Sequence, residues 1–233
     1  MQRQNAIIIV TVLALLGVGS WWLKQPRGIH RSSVAVEARS AFQRICPRPQ
    51  WWDRVQAPRV KTLSELSAYW QRQDRTPEQF FKTAYQAIEE YPDDVDLVVQ
   101  AIALMYYGDP SYPHMIALQE LVIQHYFSYQ TSLVNYTGKS GDTVADVVEN
   151  LSTLYNRHHR YEDAINLVER LLSERRAEVN DQLLELITLE YAEALHGAGR
   201  VEDAKAALRD AIDTYHGDWE LRLKKLLASY EGQ

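Results

Sequence analysis

One cysteine, Cys46, in 233 residues excludes an internal disulfide and leaves no thiolate framework for a metal. Ten glycines and eight prolines are too few for a low-complexity chain, and 46% hydrophobic residues allow a packed core. No window sustains the apolar/polar alternation of a strand, so the body is read as all-α. Clustered acids, bases, nucleophiles and metal ligands are also lacking, and the chain is read as a non-enzyme with neither cofactor nor metal.

Four near-motifs are set aside for stated reasons. Thr137-Gly138-Lys139-Ser140 looks like the tail of a phosphate-binding loop, but Leu133 stands where the opening glycine belongs and no strand is expected before it. His158 and His159 are adjacent, so on a helix their rings diverge by about 100° and cannot share a metal. They read as residues of the turn before Arg160. Asp93, Asp94 and Asp96 lack the glycine and distal glutamate of a calcium loop and read as acids at a helix N-terminus. Asn135-Tyr136-Thr137 and Asn150-Leu151-Ser152 are glycosylation sequons only on a eukaryotic lumenal side, and Asn150 falls inside an expected helix.

What is present begins with Ala6 to Leu23, 18 residues without a charge. At helical rise they span about 27 Å, near the lower limit for a hydrocarbon core. Trp21, Trp22, Lys24, Arg27 and Arg31 then supply the aromatic and basic groups of a membrane interface. The segment is read as a single transmembrane helix. A cleaved signal peptide ending near Val18-Gly19-Ser20 and a buried core helix are the rival readings. Lys24, Arg27, Arg31 and Arg39 against Arg3 favour a cytoplasmic body at a bacterial inner membrane. A short N-terminal tail with one arginine also describes an anchor that exports its body, so the periplasm is the alternative.

Charge is unevenly spread. Residues 24–61 hold nine basic side chains against Glu37 and Asp53, whereas residues 62–233 hold 29 acidic and 15 basic ones. The basic stretch suits anionic lipid headgroups, and the acidic remainder argues against nucleic acid as a partner. Val34, Ala38, Ala41, Phe42 and Ile45 form one helical face there. That face either lies in the headgroup region or packs on the first repeat as a cap. Cys46-Pro47-Arg48-Pro49 ends the helix, and Trp51 and Trp52 fall in a connector. The expected organisation is a tail at 1–5, a transmembrane helix at 6–23, a basic amphipathic juxtamembrane segment and linker at 24–61, and a helical repeat domain at 62–233.

An internal echo marks that domain: Arg160-Tyr161-Glu162-Asp163-Ala164 returns as Arg200-Val201-Glu202-Asp203-Ala204. Around it, apolar periodicity divides residues 62–233 into about four helical hairpins and a final helix carrying Trp219, Leu221, Leu223, Leu226 and Leu227, which would cover the open end. Ala192, Gly199, Ala204, Leu208 and Ala211, and less closely Ser152, Ala164, Val168 and Leu171 with His159 at the turn, resemble the tetratricopeptide repeat over residues 143–216. The spacing of 40 from Ala164 to Ala204 exceeds that repeat's typical 34.

The resemblance implies an α-solenoid whose first helices line a groove for a protein partner. Carried across, the groove residues are Asp146, Glu149, Asn150, Thr153, Asn156 and Arg157 in the third hairpin, and Leu186, Leu189, Glu190, Glu193 and His196 in the fourth. Asn156 and Arg157 alone do not reproduce the family's clamp for a terminal carboxylate. The acids with Leu186 and Leu189 suit a basic, apolar partner instead. A dense run of aromatics at Tyr106, Tyr107, Tyr112, Tyr126, Phe127, Tyr129 and Tyr136 reads first as core filling, second as a binding platform. The functional expectation is a membrane-anchored scaffold or adaptor for complex assembly; a structural accessory subunit of a large membrane complex is the alternative.

Overall fold

The computed structural model describes residues 27–127, 132–134, 140–214 and 217–232; the apolar run 6–23, Trp21, Trp22 and Lys24 lie outside them. Among the described residues no helix is long and apolar enough to cross a membrane. The described residues form ten α-helices, two short 3₁₀ turns and one small ribbon.

Helix starts follow from local polar chemistry. The first helix, α1, spans Arg27–Ile45 and gives way to Cys46 and the two prolines. After a 3₁₀ turn at Trp52–Arg54, α2 (Leu63–Trp70) begins at Thr62, whose side chain accepts from the Glu65 amide. Helix α3 (Pro77–Glu90) opens with a full capping box: Thr76 Oγ1 accepts from the Gln79 amide, Gln79 Oε1 accepts from the Thr76 amide, and Pro77 needs no donor there. Asp94 caps α4 (Val95–Gly108) by accepting from the Leu97 amide at 3.0 Å, so the acids at 93–96 serve a helix start. Helix α5 (Met115–Tyr126) follows.

Between α5 and α6 lies an antiparallel ribbon, β1 (Ser132–Val134) with β2 (Ser140–Asp142), pairing Ser132 with Asp142. Three-residue strands are too short to register as alternation, which is why sequence periodicity passes over them. A strand therefore does precede Thr137-Gly138-Lys139-Ser140, but Leu133 sits within it at the place of the glycine, and Gly138 and Lys139 fall outside the described residues.

The remaining helices are α6 (Thr143–Arg157), α7 (Tyr161–Arg175), α8 (Asp181–Gly197), α9 (Val201–Thr214) and α10 (Asp218–Glu231). Each packs on its chain neighbour from α2 onward, and α2, α4, α6 and α8 also pack in series on one another. The result is four stacked hairpins, α2/α3 to α8/α9, with α10 set against α9 and α8. Ser152, Ala164, Ala192 and Ala204 are fully buried, so small side chains stand at the tightest approaches. In α10, Leu223 and Tyr230 are buried, but Leu221 is 55% exposed and is not part of the covering face.

Helix α1 settles between the two readings of its apolar stripe. Ala35, Ala38, Phe42 and Cys46 are buried, Val34, Ala41 and Ile45 pack beside them, and α1 rests on α5 and α3. Those are the second helices of the first two hairpins, so α1 covers the back of that part of the stack. Trp52 and Val60 belong to the same core, which runs without interruption through the boundary expected at residue 62. Tyr85 Oη donates to the Cys46 carbonyl at 2.9 Å, and Gln43 and Arg48 both reach Glu89, tying the segment down further.

The sequence echo is a repeated helix stop. Arg160 N–H reaches the Tyr155 carbonyl and His159 N–H the Asn156 carbonyl; Arg200 N–H reaches Leu195 and Gly199 N–H reaches His196 in the same pattern. Both turns need a left-handed residue, Gly199 at φ 80° and His159 at φ 57°. The arginine of each echo then donates to the aspartate three positions on, Arg160 to Asp163 and Arg200 to Asp203. A side chain in the left-handed region costs about 1 kcal/mol. His159→Gly is expected to raise Tm by about 2 °C, read by calorimetry, after the loss of the His159–Tyr161 hydrogen bond is counted.

Candidate functional site

The serial packing of α4, α6, α8 and α10 leaves a trough along their exposed side, divided into two joined compartments. Between α4, α6 and α8 is a cavity of about 350 Å³ lined by Tyr106, Tyr107, Asp146, Glu149, Asn150, Thr153, Arg157, Leu186 and Glu190, together with Asn180, Gln182 and Leu183. Between α6, α8 and α10 is one of about 490 Å³ lined by Thr153, Asn156, Arg157, Tyr161, Glu190, Glu193, His196, Gly197 and Tyr230. Thr153, Arg157 and Glu190 are shared by both.

Ten of the eleven residues expected to line a groove are thus brought together. Leu189 is the exception, because it turns away to pack against the hydrophobic core. The sequence did not assign Tyr161 or Tyr230 to the groove; its first reading of Tyr106 and Tyr107 as core filling agrees with the structure, where Tyr106 is buried in the core and Tyr107 packs against it, while both also border the cavity. Their contribution comes from neighbouring hairpins, which one-dimensional periodicity cannot register. Of the other aromatics in that dense run, Tyr126 and Phe127 are core residues, and the Tyr112 hydroxyl lies 2.9 Å from Cys46 Sγ.

Asn156 joins the two sides of the trough, donating from Nδ2 both to the Glu190 carbonyl and to Glu190 Oε2 at 2.9 Å. The Glu190 carboxylate is therefore held in place. At the far end, the His196 ring stacks on Tyr230 with centroids 4.0 Å apart and planes 13° from parallel. Asn150 is only 1% exposed, and its Nδ2 has no hydrogen-bond partner.

No family model, curated protein or solved structure matches this chain.

Among the described residues that line the trough are four acidic side chains, Asp146, Glu149, Glu190 and Glu193, and one guanidinium, that of Arg157. Burial pushes the Glu149 carboxyl up to about 8; Glu190 and Asp146 add to the rise and Arg157 opposes it. Desolvation and the charge of Glu190 raise Glu193 as well, and desolvation with Glu193 carries Tyr230 up to about 12. Among the described residues no group of three or more His, Cys, Asp or Glu is disposed to hold a metal ion. The arrangement is a negative, partly apolar trough with aromatic ends.

A stability signature follows from Glu149. Its folded value lies above the ordinary 4.5, so between about pH 4.5 and 8 the folded state binds more protons than the unfolded one. That contribution is fully present below about 4.5, declines across the window, and is gone above 8. Glu149→Gln removes the dependence. The variant is expected to match the native protein near pH 4.5 and to exceed its unfolding free energy by about 1–3 kcal/mol at pH 8 to 9, less than the full shift because the trough opens to solvent. Urea unfolding at both pH values checks the crossover.

Proposed function

We propose that this protein is a membrane-anchored scaffold of tetratricopeptide-like architecture that grips another polypeptide in the trough of α4, α6, α8 and α10. The apolar run Ala6–Leu23 is its single-pass anchor in a bacterial inner membrane, with the repeat domain on the cytoplasmic side. The observation that carries the reading is the alignment of one exposed side of successive hairpins into a single acidic trough. Stacked repeats present such surfaces to extended or helical segments, whose affinity comes from many modest contacts spread along the stack. The buried small residues at Ser152, Ala164, Ala192 and Ala204 support the likeness to the family.

The test is site-specific photocrosslinking in intact membranes. A benzophenone side chain at Thr153, inside the trough, should capture discrete polypeptides, and one at exposed Glu174 on α7 should not. Glu149→Lys combined with Glu190→Lys should abolish the Thr153 adducts while circular dichroism of the helices is preserved. Adducts from Glu174 with none from Thr153 would move the interface off the trough and end the proposal.

A further inference from the structure

The compartment between α4, α6 and α8 carries more chemistry than a generic acidic surface. Three features converge on it. The carboxylates of Glu149 and Glu190 approach from adjacent helices, Glu190 being fixed by Asn156. Tyr106 and Tyr107 form a wall from α4, their rings 5.5 Å apart and inclined at 75°. Asn150, almost wholly buried, contributes an Nδ2 donor that meets no acceptor in the protein. A buried donor without an acceptor costs about 1–3 kcal/mol, a loss that an incoming carbonyl removes.

We propose that this compartment receives an arginine side chain of an extended peptide segment, its guanidinium between Glu149 and Glu190 beside the tyrosine wall, with the buried Asn150 amide turning toward the cavity to donate to the segment's backbone carbonyl. The proposal rests on the trough being the partner-binding surface. Its occupant is a segment of another protein, and charge complementarity is the argument: even with Glu149 protonated, Asp146, Glu190 and Glu193 outnumber Arg157 among the described lining residues. Arginine fits better than lysine because a planar guanidinium bonds two carboxylates in its own plane and lies flat on aromatic rings. An ammonium is a compact, strongly hydrated point charge.

The site also couples binding to a proton. The ionisable groups facing Glu149 are Asp146 and Arg157 on its own helix, Glu190 on α8, and Tyr106 and Tyr107 on α4; Glu193 stands further along α8. With its carboxyl up at about 8, Glu149 is mostly protonated at pH 7 in the empty trough. A guanidinium placed alongside favours the carboxylate, so binding near neutrality expels a proton. Affinity then rises with pH up to about 8, with a slope of at most tenfold per pH unit.

The experiment is calorimetric titration of the full-length protein in detergent with a short synthetic peptide alternating arginine and leucine, in two buffers of different ionisation enthalpy. Controls replace arginine with citrulline, which keeps the shape without the charge, or with lysine. The arginine peptide should bind with net proton release at pH 7, and the lysine and citrulline peptides about tenfold more weakly or worse. Glu149→Gln should eliminate the proton release, and Asn150→Leu should weaken binding about tenfold without altering the proton count. Equal binding of citrulline or lysine, absence of proton release, or no binding of the arginine peptide would each overturn the proposal. If Thr153 crosslinks persist in membranes under any of these outcomes, the trough still binds a partner and only its arginine chemistry is wrong. If the crosslinks fail too, both readings fall.

Discussion

Phe42→Ala is expected to lower the unfolding free energy by about 3–5 kcal/mol, the cost of deleting a fully buried aromatic ring and leaving a cavity behind. Phe42 is 0% exposed, and its ring centroid lies 4.5 Å from that of Tyr85. Around it, Tyr85 bonds the Cys46 carbonyl and Trp52 meets Tyr85 edge-on at 4.8 Å. The loss therefore reaches the back of the first two hairpins and is not confined to α1. Urea unfolding followed by tryptophan fluorescence should show a midpoint lower by about 1–2 M. Val36→Ala, on the 66% exposed side of the same helix, should change stability by no more than about 0.5 kcal/mol. Equal, small effects at both positions would mean that α1 does not belong to the core.

Gly197→Ala is the second large effect, and its sign is expected to depend on a neighbour. A Cβ at this last residue of α8 would lie 2.5 Å from Tyr161 Cζ and 2.6 Å from Cδ1, well inside van der Waals contact. The Tyr161 ring cannot simply swing away, because its hydroxyl is 2.6 Å from His159 Nδ1. In the native background the substitution should cost about 1–3 kcal/mol through overpacking between the third and fourth hairpins. With Tyr161→Ala already in place the obstruction is gone, and alanine's better helix propensity should stabilise by up to about 1 kcal/mol. A double-mutant cycle by urea denaturation measures the inversion. Additive effects would refute the packing account.

How far the residues disclosed all this depends on the range of each interaction. Thr76-Pro77, Asp94 and the paired arginine echoes act within a few positions, so their helix starts and stops are legible directly. The apolar stripe of α1 is equally legible as a stripe. Its partner is not, since lipid and the α3/α5 surface ask for the same side chains. The register carried over from the repeat resemblance brings most of the expected groove residues to one cavity-lined side, because they share one side of two helices whose packing the small buried residues fix. It failed for Leu189, whose apolar body finds the core, and periodicity failed for Leu221, left in solvent on α10. Tyr106, Tyr107, Tyr161 and Tyr230 owe their place at the trough to contacts between hairpins, which no single window contains. The unpartnered amide of Asn150 is likewise a property of the assembled stack.

The twin stops at His159-Arg160 and Gly199-Arg200 have a further implication for length. Both present the same backbone geometry to whatever helix follows, so the 40 residues between them form an interchangeable joint-to-joint segment. Excising residues 161–200 would hand α6 directly to α9 across a corner with the same backbone hydrogen bonds. The chain could thus gain or shed one storey at that seam, lengthening or shortening its reach while every other hinge keeps its angle.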